Sequence, residues 1–137
     1  MQYVLKSTHK YILLTLLQAP EALTLLSEKE REPIVRKHFI ADARMSLASA
    51  LLKRIYISKT LSIPWSTITF ARSGHPIHGK PCYAPPDGSL SPVTFNISHQ
   101  AGLVALIGAP APLEVGVDVV CVNESCLLYT SPSPRDS

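Results

Sequence analysis

The chain has 137 residues, 46% of them apolar, and its formal net charge is +3 with a pI near 8.8. This length suits one ordinary domain, and the apolar fraction is enough for a hydrophobic core, so a wholly disordered chain is excluded. The mild positive charge suits an anionic ligand, but it falls short of the clustered basic face that nucleic-acid binding requires. We therefore expect a globular domain that has no nucleic-acid partner.

The first apolar stretch, residues 11–26, is interrupted by Gln18, Pro20 and Glu21. It is too broken to span a bilayer, which takes about 20 apolar residues, so we expect no membrane partner. The apolar run is also short for a signal peptide, and no small-residue cleavage site follows it cleanly. Three cysteines, an odd number without framework spacing, indicate reduced thiols. These features favour a cytoplasmic protein.

Residues 34–57 contain no Gly and no Pro, and apolar side chains recur there at steps of three and four residues. This periodicity predicts one amphipathic helix. The apolar stripe consists of Ile40, Ala43, Leu47, Leu51 and Ile55. The other faces carry basic residues that are interpreted as solvated, namely Arg36, Lys37, Arg44, Lys53 and Arg54.

Short runs rich in β-branched and aromatic residues follow Pro64. They predict strands over residues 67–70, 93–98, 103–107 and 115–120. A loop rich in Gly, Pro and Ser is expected over residues 73–92. The segment SHQAG between the second and third runs is short enough for a hairpin turn, in which Gly102 supplies unusual backbone angles. The pattern predicts an α+β fold with one long helix and a small antiparallel sheet.

The end of the chain breaks this pattern. Residues 126–136 read CLLYTSPSPRD, which resembles an in-frame translation of a transposase adapter used in short-read sequencing. We therefore interpret residues 125–137 as adapter-derived sequence and exclude them from the fold prediction. The alternative is a disordered terminus rich in Ser and Pro.

Residues 74–80 fit the G-x-x-x-x-G-K half of a phosphate-binding loop. Pro81 stands where Ser or Thr should hold magnesium, and Pro85 and Pro86 prevent the helix whose N-terminus would bind phosphate. A P-loop nucleotidase is therefore disfavoured. Lys80 can still reach a phosphate as a point charge without that loop.

Two places put polar groups among apolar strand residues. The segment NISHQ, residues 96–100, ends a strand where the hairpin turns, so its side chains can face a ligand. Asp118 lies within VGVDVV, where a carboxylate costs free energy unless it is paired or binds a metal. Ordinary structural roles, a turn-stabilising His99 and an edge-strand Asp118 facing water, stay open on these residues alone.

Three motifs follow one another in the chain: GKP at residues 79–81, FNISHQ at 95–100 and GVDVV at 116–120. In this order they resemble the N-terminal motifs of the two-lobed 4'-phosphopantetheinyl transferases. The helix DARMSLASALLKR, residues 42–54, is similar to the helix of the family's first lobe, and IPWSTI and CVNE resemble the fungal members. The resemblance covers residues 25–124, and the ordered set is far more specific than any one motif.

The resemblance implies two similar α+β lobes with coenzyme A held in the cleft between them. Residues 1–112 are then expected to form the N-terminal lobe, and residues 113–124 to begin the C-terminal lobe with its first strand. Family members transfer the 4'-phosphopantetheine arm of coenzyme A to a carrier-protein serine. The partners so implied are acyl and peptidyl carrier domains of fatty acid, polyketide and nonribosomal peptide synthases, and of the aminoadipate reductase of lysine biosynthesis.

The resemblance also implies Mg²⁺ as cofactor and coenzyme A as co-substrate. The residues it assigns to coenzyme A are Arg44, Arg72, Lys80, Asn96, Ser98 and His99. Asp118 and His99 are expected to be catalytic, with Asp118 on the magnesium ion. Bacterial members commonly carry an acid two positions after this aspartate, where this chain has Val120, so Gln100 is expected to supply the second metal ligand.

A downstream W-x-x-K-E motif of the family supplies a further metal-binding glutamate and a lysine, and this sequence does not contain it. We therefore expect the 137-residue chain to be inactive by itself. The alternative, from a different functional class, is a non-catalytic coenzyme A or nucleotide-binding module that uses Lys80 and His99.

Overall fold

The structure is a computed structural model, and it describes residues 22–122. Two helices come first, α1 (Glu28–Val35) and α2 (Ile40–Leu61). A short 3-10 helix, Trp65–Thr67, then leads to two antiparallel hairpins. Their strands are β1 (Phe70–Ser73) with β2 (Lys80–Tyr83), and β3 (Val93–Gln100) with β4 (Leu103–Pro110). The predicted α+β class is confirmed.

The helical region differs from the single helix predicted over residues 34–57. The chain leaves helical geometry after Val35 and resumes it at Ile40, so two helices replace one. Ser27 caps α1, and α2 ends where Ser62 adopts a left-handed conformation with φ 54°. The prediction placed Ile40 in the buried stripe, but its side chain is 71% exposed because it begins α2 beside the break.

Helix α2 is the centre of the fold because it is buried on two sides. One side packs against the inner face of the β3–β4 hairpin, where the rings of Tyr56 and Phe95 meet edge to face at 6.0 Å. The other side packs against α1 through Leu47 and Leu51, which confirms these two members of the predicted stripe. Two contacting layers explain why the buried surface of α2 is wider than one stripe.

Arg54 was interpreted as part of a solvated helix face, and that interpretation is wrong. Its side chain is 6% exposed, and Nε donates to both carboxylate oxygens of Glu30, at 2.9 and 3.0 Å. The two terminal nitrogens donate to the carbonyls of Trp65 at 2.8 Å and Ile68 at 3.1 Å. The guanidinium therefore joins α1, α2 and the 3-10 helix, through contacts that helical periodicity does not show.

The first hairpin was only partly predicted. The strand predicted over residues 67–70 is wrong except at Phe70, where β1 begins. Thr67 ends the 3-10 helix, because backbone hydrogen bonds to Pro64 and Trp65 close that turn. Strand β2 lies inside the segment predicted as loop 73–92. Its four residues, KPCY, are too few to show the two-residue alternation by which strands are recognised.

The second hairpin confirms the prediction more closely. Strands were expected over residues 93–98 and 103–107, and the structure extends them to Gln100 and Pro110. Ala101 and Gly102 form the two-residue turn between them, with φ values of 52° and 82°. Positive φ at both positions matches the twist of a tight hairpin, so the predicted role of Gly102 is confirmed.

Cys82 is a free thiol, whereas Cys121 is disulfide-bonded, so the expectation of reduced thiols is wrong for Cys121. An odd cysteine count excludes only complete pairing, and it leaves room for one disulfide. Within residues 22–122, no helix is both long enough and apolar enough to cross a membrane. The predictions for residues 125–137 lie outside the described residues.

Candidate functional site

The segment 113–119 runs along the outer face of β3 and is held there by side chains. Alternate residues of β3 make these hydrogen bonds, and we call the set the side-chain ladder: Thr94 to the carbonyl of Leu113, Asn96 to the amide of Val117, and Ser98 to the amide of Val119. The segment has no regular secondary structure, so the strand predicted over residues 115–120 is wrong. The reason is that the amides of Val117 and Val119 meet side-chain oxygens of β3 instead of the backbone carbonyls of a neighbouring strand.

Asp118 lies between two of the ladder contacts. Oδ1 of Asn96 accepts from the amide of Val117 at 2.8 Å, and Oγ of Ser98 accepts from the amide of Val119 at 3.1 Å. The Ser98 hydroxyl also donates to Oδ1 of Asp118 at 3.4 Å, which is long for a hydrogen bond between oxygens. Asp118 is otherwise exposed. Its backbone is therefore anchored while its carboxylate stays accessible.

Gln100 is on the same face of β3 as Ser98, because side chains two residues apart along a strand point the same way. A carboxylate from Asp118 and an amide oxygen from Gln100 are ligands of the kind that magnesium prefers. The donor chemistry fits Mg²⁺, but it supplies only part of a shell. No group of three or more His, Cys, Asp or Glu side chains that could hold a metal occurs in the described part of the chain. The side chain of Val120, which is 63% exposed, has no oxygen that could bind a metal.

His99 is on the other face of β3. It alternates with Ser98 and shares the side of Phe95 and Ile97, which pack against the core under α2. His99 itself is exposed, beyond the edge of that core. The structure thus separates it from Asn96, Ser98 and Gln100 of the NISHQ motif, and its predicted contact with coenzyme A stays a prediction.

Two of the predicted cations lie on the two strands of the first hairpin, where the register pairs Arg72 with Pro81 and Lys80 with Ser73. The Nζ atom of Lys80 is 2.9 Å from Oε2 of Glu114, so Lys80 is tied to the segment that carries Asp118. Arg72 on the neighbouring strand donates from Nη1 to the carbonyl of Gly79 at 2.8 Å. Sequence reasoning missed Glu114, because a lone acid in a loop has no distinguishing pattern.

Lys53 was also missed as a member of this basic group. Its Nζ lies 5.3 Å from the centre of the Phe70 ring on β1. Burial lowers the pKa of Lys53 below its ordinary value, and the charges of Arg72 and Arg54 act in the same direction, together outweighing the opposite effect of Glu30. Lys53 therefore lies partly buried and close enough to Arg72 for the two charges to interact, although helical periodicity assigned it to solvent.

Arg44, the third predicted cation, lies elsewhere. It lines a pocket of about 290 Å³ between α1 and α2, which is otherwise apolar except for Lys37. None of the residues that line this pocket belongs to either hairpin. The predicted contact of Arg44 with coenzyme A stays a prediction.

The P-loop alternative is wrong. Residues 74–79 form the turn of an antiparallel hairpin, and Lys80 begins a strand where a P-loop requires a helix. The ring of His75 stabilises this turn, since its Nδ1 accepts from the amides of Ile77 at 3.1 Å and His78 at 3.2 Å.

Comparison with known proteins decides the family. The N-terminal domain of 4'-phosphopantetheinyl transferases matches residues 16–111, which is well over half of the chain. The chain belongs to this family. The resemblance read from the GKP, FNISHQ and GVDVV motifs is therefore confirmed.

The similar relatives include fungal members of the family. The chain is 60% identical over 112 residues to a 4'-phosphopantetheinyl transferase of Aureobasidium melanogenum, covering 77% of this chain and 33% of that protein. It is 42% identical to 4'-phosphopantetheinyl transferase 1 of Fusarium mangiferae, covering 77% and 36%. It is 35% identical to the L-aminoadipate-semialdehyde dehydrogenase-phosphopantetheinyl transferase of Schizosaccharomyces pombe, covering 69% and 39%. The chain thus spans little more than a third of the length of these relatives.

Proposed function

We propose that this chain is part of an enzyme that transfers the 4'-phosphopantetheine arm of coenzyme A to a carrier-protein serine. The observation that carries the proposal is that the second motif contacts the third, and that the first motif contacts the segment that leads into the third. Ser98 of the second motif contacts Asp118 of the third, and Lys80 of the first contacts Glu114 of the same segment. A cation on β2 that contacts this segment, together with an exposed carboxylate on the segment, suits a magnesium-bound pyrophosphate.

In the proposed reaction, the carrier serine hydroxyl attacks the pyrophosphate of coenzyme A and releases adenosine 3',5'-bisphosphate. Lys80 and Arg72 bind phosphate oxygens and offset the negative charge that builds on them during transfer. Asp118 and Gln100 would hold Mg²⁺, and the ion would neutralise further charge on the pyrophosphate. His99 and Arg44 are proposed as further contacts of coenzyme A.

The proposed organisation follows the family. Residues 1–112 form the N-terminal lobe, and residues 113–124 lead into a C-terminal lobe that would supply the W-x-x-K-E glutamate and lysine. The proposed partners are the acyl and peptidyl carrier domains of fatty acid, polyketide and nonribosomal peptide synthases and of aminoadipate reductase. We place the enzyme in the cytoplasm. The genomic sequence after codon 124 tests this organisation directly, since a continuation without that motif would contradict it.

The coenzyme A site is tested by calorimetry on the chain. Lys80→Ala removes one charge-assisted contact, so we expect about a tenfold or greater loss of coenzyme A affinity. Lys59→Ala is the matched control, because Lys59 is an exposed lysine in the last turn of α2. Equal affinities for the two variants would refute the proposed role of Lys80.

Transfer is tested by incubating the chain with coenzyme A, magnesium and an apo carrier domain, and weighing the carrier by mass spectrometry. We expect no efficient transfer by the 137-residue chain, and transfer by a protein extended through the second lobe. An extended protein that binds coenzyme A but never modifies a carrier would favour the non-catalytic binding module instead.

A further inference from the structure

We propose that Asn96 and Ser98 are positioning residues that hold Asp118 ready for metal binding, and that neither is primarily a coenzyme A contact. The inference rests on the proposed function, because it concerns how the metal ligand of that site is held. It differs from the role that the family resemblance implies for these two side chains. The side-chain ladder carries the argument.

Two hydrogen bonds from β3 side chains lie on either side of Asp118 in the chain. Asn96 holds the amide of the residue before Asp118, and Ser98 holds the amide of the residue after it. Hydrogen bonds on both sides of one residue restrict its backbone angles, and so restrict the direction of its side chain. The segment has no regular secondary structure, so these side-chain contacts replace the backbone ladder that fixes side-chain direction in a sheet.

The hydroxyl of Ser98 uses both its proton and its oxygen within the structure. A hydroxyl has a single proton, and Ser98 directs it to Oδ1 of Asp118, while its oxygen accepts from the amide of Val119. To donate to a phosphate oxygen of coenzyme A, Ser98 would have to give up its contact with Asp118. The shorter of its two contacts is the 3.1 Å bond from the Val119 amide, and the arrangement therefore favours a role in positioning the segment around Asp118.

The position of Asp118 brings it close to the side of β3 that carries Gln100. Asp118 is held beside Ser98, and Gln100 follows Ser98 on the same face of β3. Two residues along a strand advance by about 7 Å, so a single cation between the two side chains can contact both. A small shift of the segment along β3 would separate this pair.

The test uses the nitrogen-15-labelled chain in solution. Ser98→Ala removes one ladder contact and the contact to Asp118, while Ser98→Thr keeps a hydroxyl. Ser89→Ala is the control, because Ser89 is an exposed loop serine whose hydroxyl bonds only within its own loop, to Asp87. Three quantities are measured: hydrogen exchange of the amides of Val117 and Val119, paramagnetic broadening at Asp118 by Mn²⁺, and affinity for coenzyme A without metal.

We expect Ser98→Ala to speed exchange of the Val119 amide about fivefold, the effect of losing one ordinary hydrogen bond. It should also raise the Mn²⁺ concentration needed for half-maximal broadening at Asp118, and leave metal-free coenzyme A affinity unchanged. Ser98→Thr should restore both measurements, and Ser89→Ala should alter none. Native dispersion of the β3 and β4 amides verifies that each variant is folded.

Loss of metal-free coenzyme A affinity, with amide exchange and broadening unchanged, would overturn the proposal and make Ser98 a direct ligand. Absence of Mn²⁺ broadening at Asp118 in the unsubstituted chain would overturn it as well. Failure of the unsubstituted chain to bind coenzyme A would count against the proposed function. The exchange and Mn²⁺ measurements would still decide the positioning role in that case.

Discussion

Replacing Glu30 with alanine should leave the Arg54 guanidinium buried without a counter-ion. The Arg54 side chain is 6% exposed and that of Glu30 is 17% exposed, so water cannot replace the lost carboxylate. Breaking a buried pair from one side costs about 3–5 kcal/mol of unfolding free energy. A domain of this size is stable by about 5–15 kcal/mol, so the loss is large but compatible with a folded variant. Urea denaturation followed by circular dichroism measures it.

The same helix provides a matched control. Glu32→Ala makes the same substitution in a pair with Arg36 whose side chains are 57% and 75% exposed, so a loss below about 0.5 kcal/mol is expected. The double variant Glu30→Leu, Arg54→Met removes both buried charges, and it should recover part of the stability that Glu30→Ala loses. Equal losses for Glu30→Ala and Glu32→Ala would refute the reasoning.

The pH dependence gives a second measurement of the same pair. Burial raises the pKa of the Glu30 carboxyl, but hydrogen bonds from Arg54 and Ser27 and the charge of Arg54 outweigh it, so the folded pKa lies below the ordinary 4.5. Because the folded pKa is depressed, the stabilisation is present above the unfolded pKa and is lost as the pH falls through the folded value. Stability should therefore decline below pH 4.5, and Glu30→Ala should decline less steeply there. An unchanged acid slope in the variant would contradict the assignment.

Three further substitutions test the core and the site. Phe95→Ala should cost about 3–5 kcal/mol in urea denaturation, because this 2% exposed ring fills the layer between α2 and the β3–β4 hairpin. Gly108→Ala should cost about 1–3 kcal/mol in the same assay, since a Cβ there would overlap the buried ring of Tyr56. Unchanged stability would show that the ring can move. Glu114→Gln should raise the affinity for coenzyme A, measured by calorimetry at low salt, by up to about fivefold. The reason is that it removes the carboxylate that competes for Lys80. A lower affinity would show that Glu114 helps binding.

Much of the second half of the fold could be predicted because its signals are local. The apolar alternation of β3 and the Gly102 turn lie within a few residues of one another and define a hairpin without reference to the rest of the chain. Strand β2 escaped prediction because its four residues, with Pro81 among them, carry no such alternation. The break between α1 and α2 escaped because a stretch without Gly or Pro has no local stop signal.

The residues of the candidate site were likewise predictable where their signal is local, and not where it depends on distant contacts. Lys80, Ser98 and Asp118 could be named from motif order, because each stands in a short run typical of the family. Glu114 and Lys53 could not be named, because their place in the site depends on contacts with residues far away in the chain. The Lys80–Glu114 pair, for example, joins positions 34 residues apart.

Local sequence alone was enough to establish the α+β class, the β3–β4 hairpin and the family, since periodicity, turn residues and motif order all act over short distances. Tertiary structure decided two other matters: that Arg54 is buried against Glu30, and that side chains of β3 hold the segment around Asp118. Each depends on which surfaces meet after folding. Charge and hydrogen-bonding groups find their partners through space, and the order of residues along the chain does not encode those distances directly.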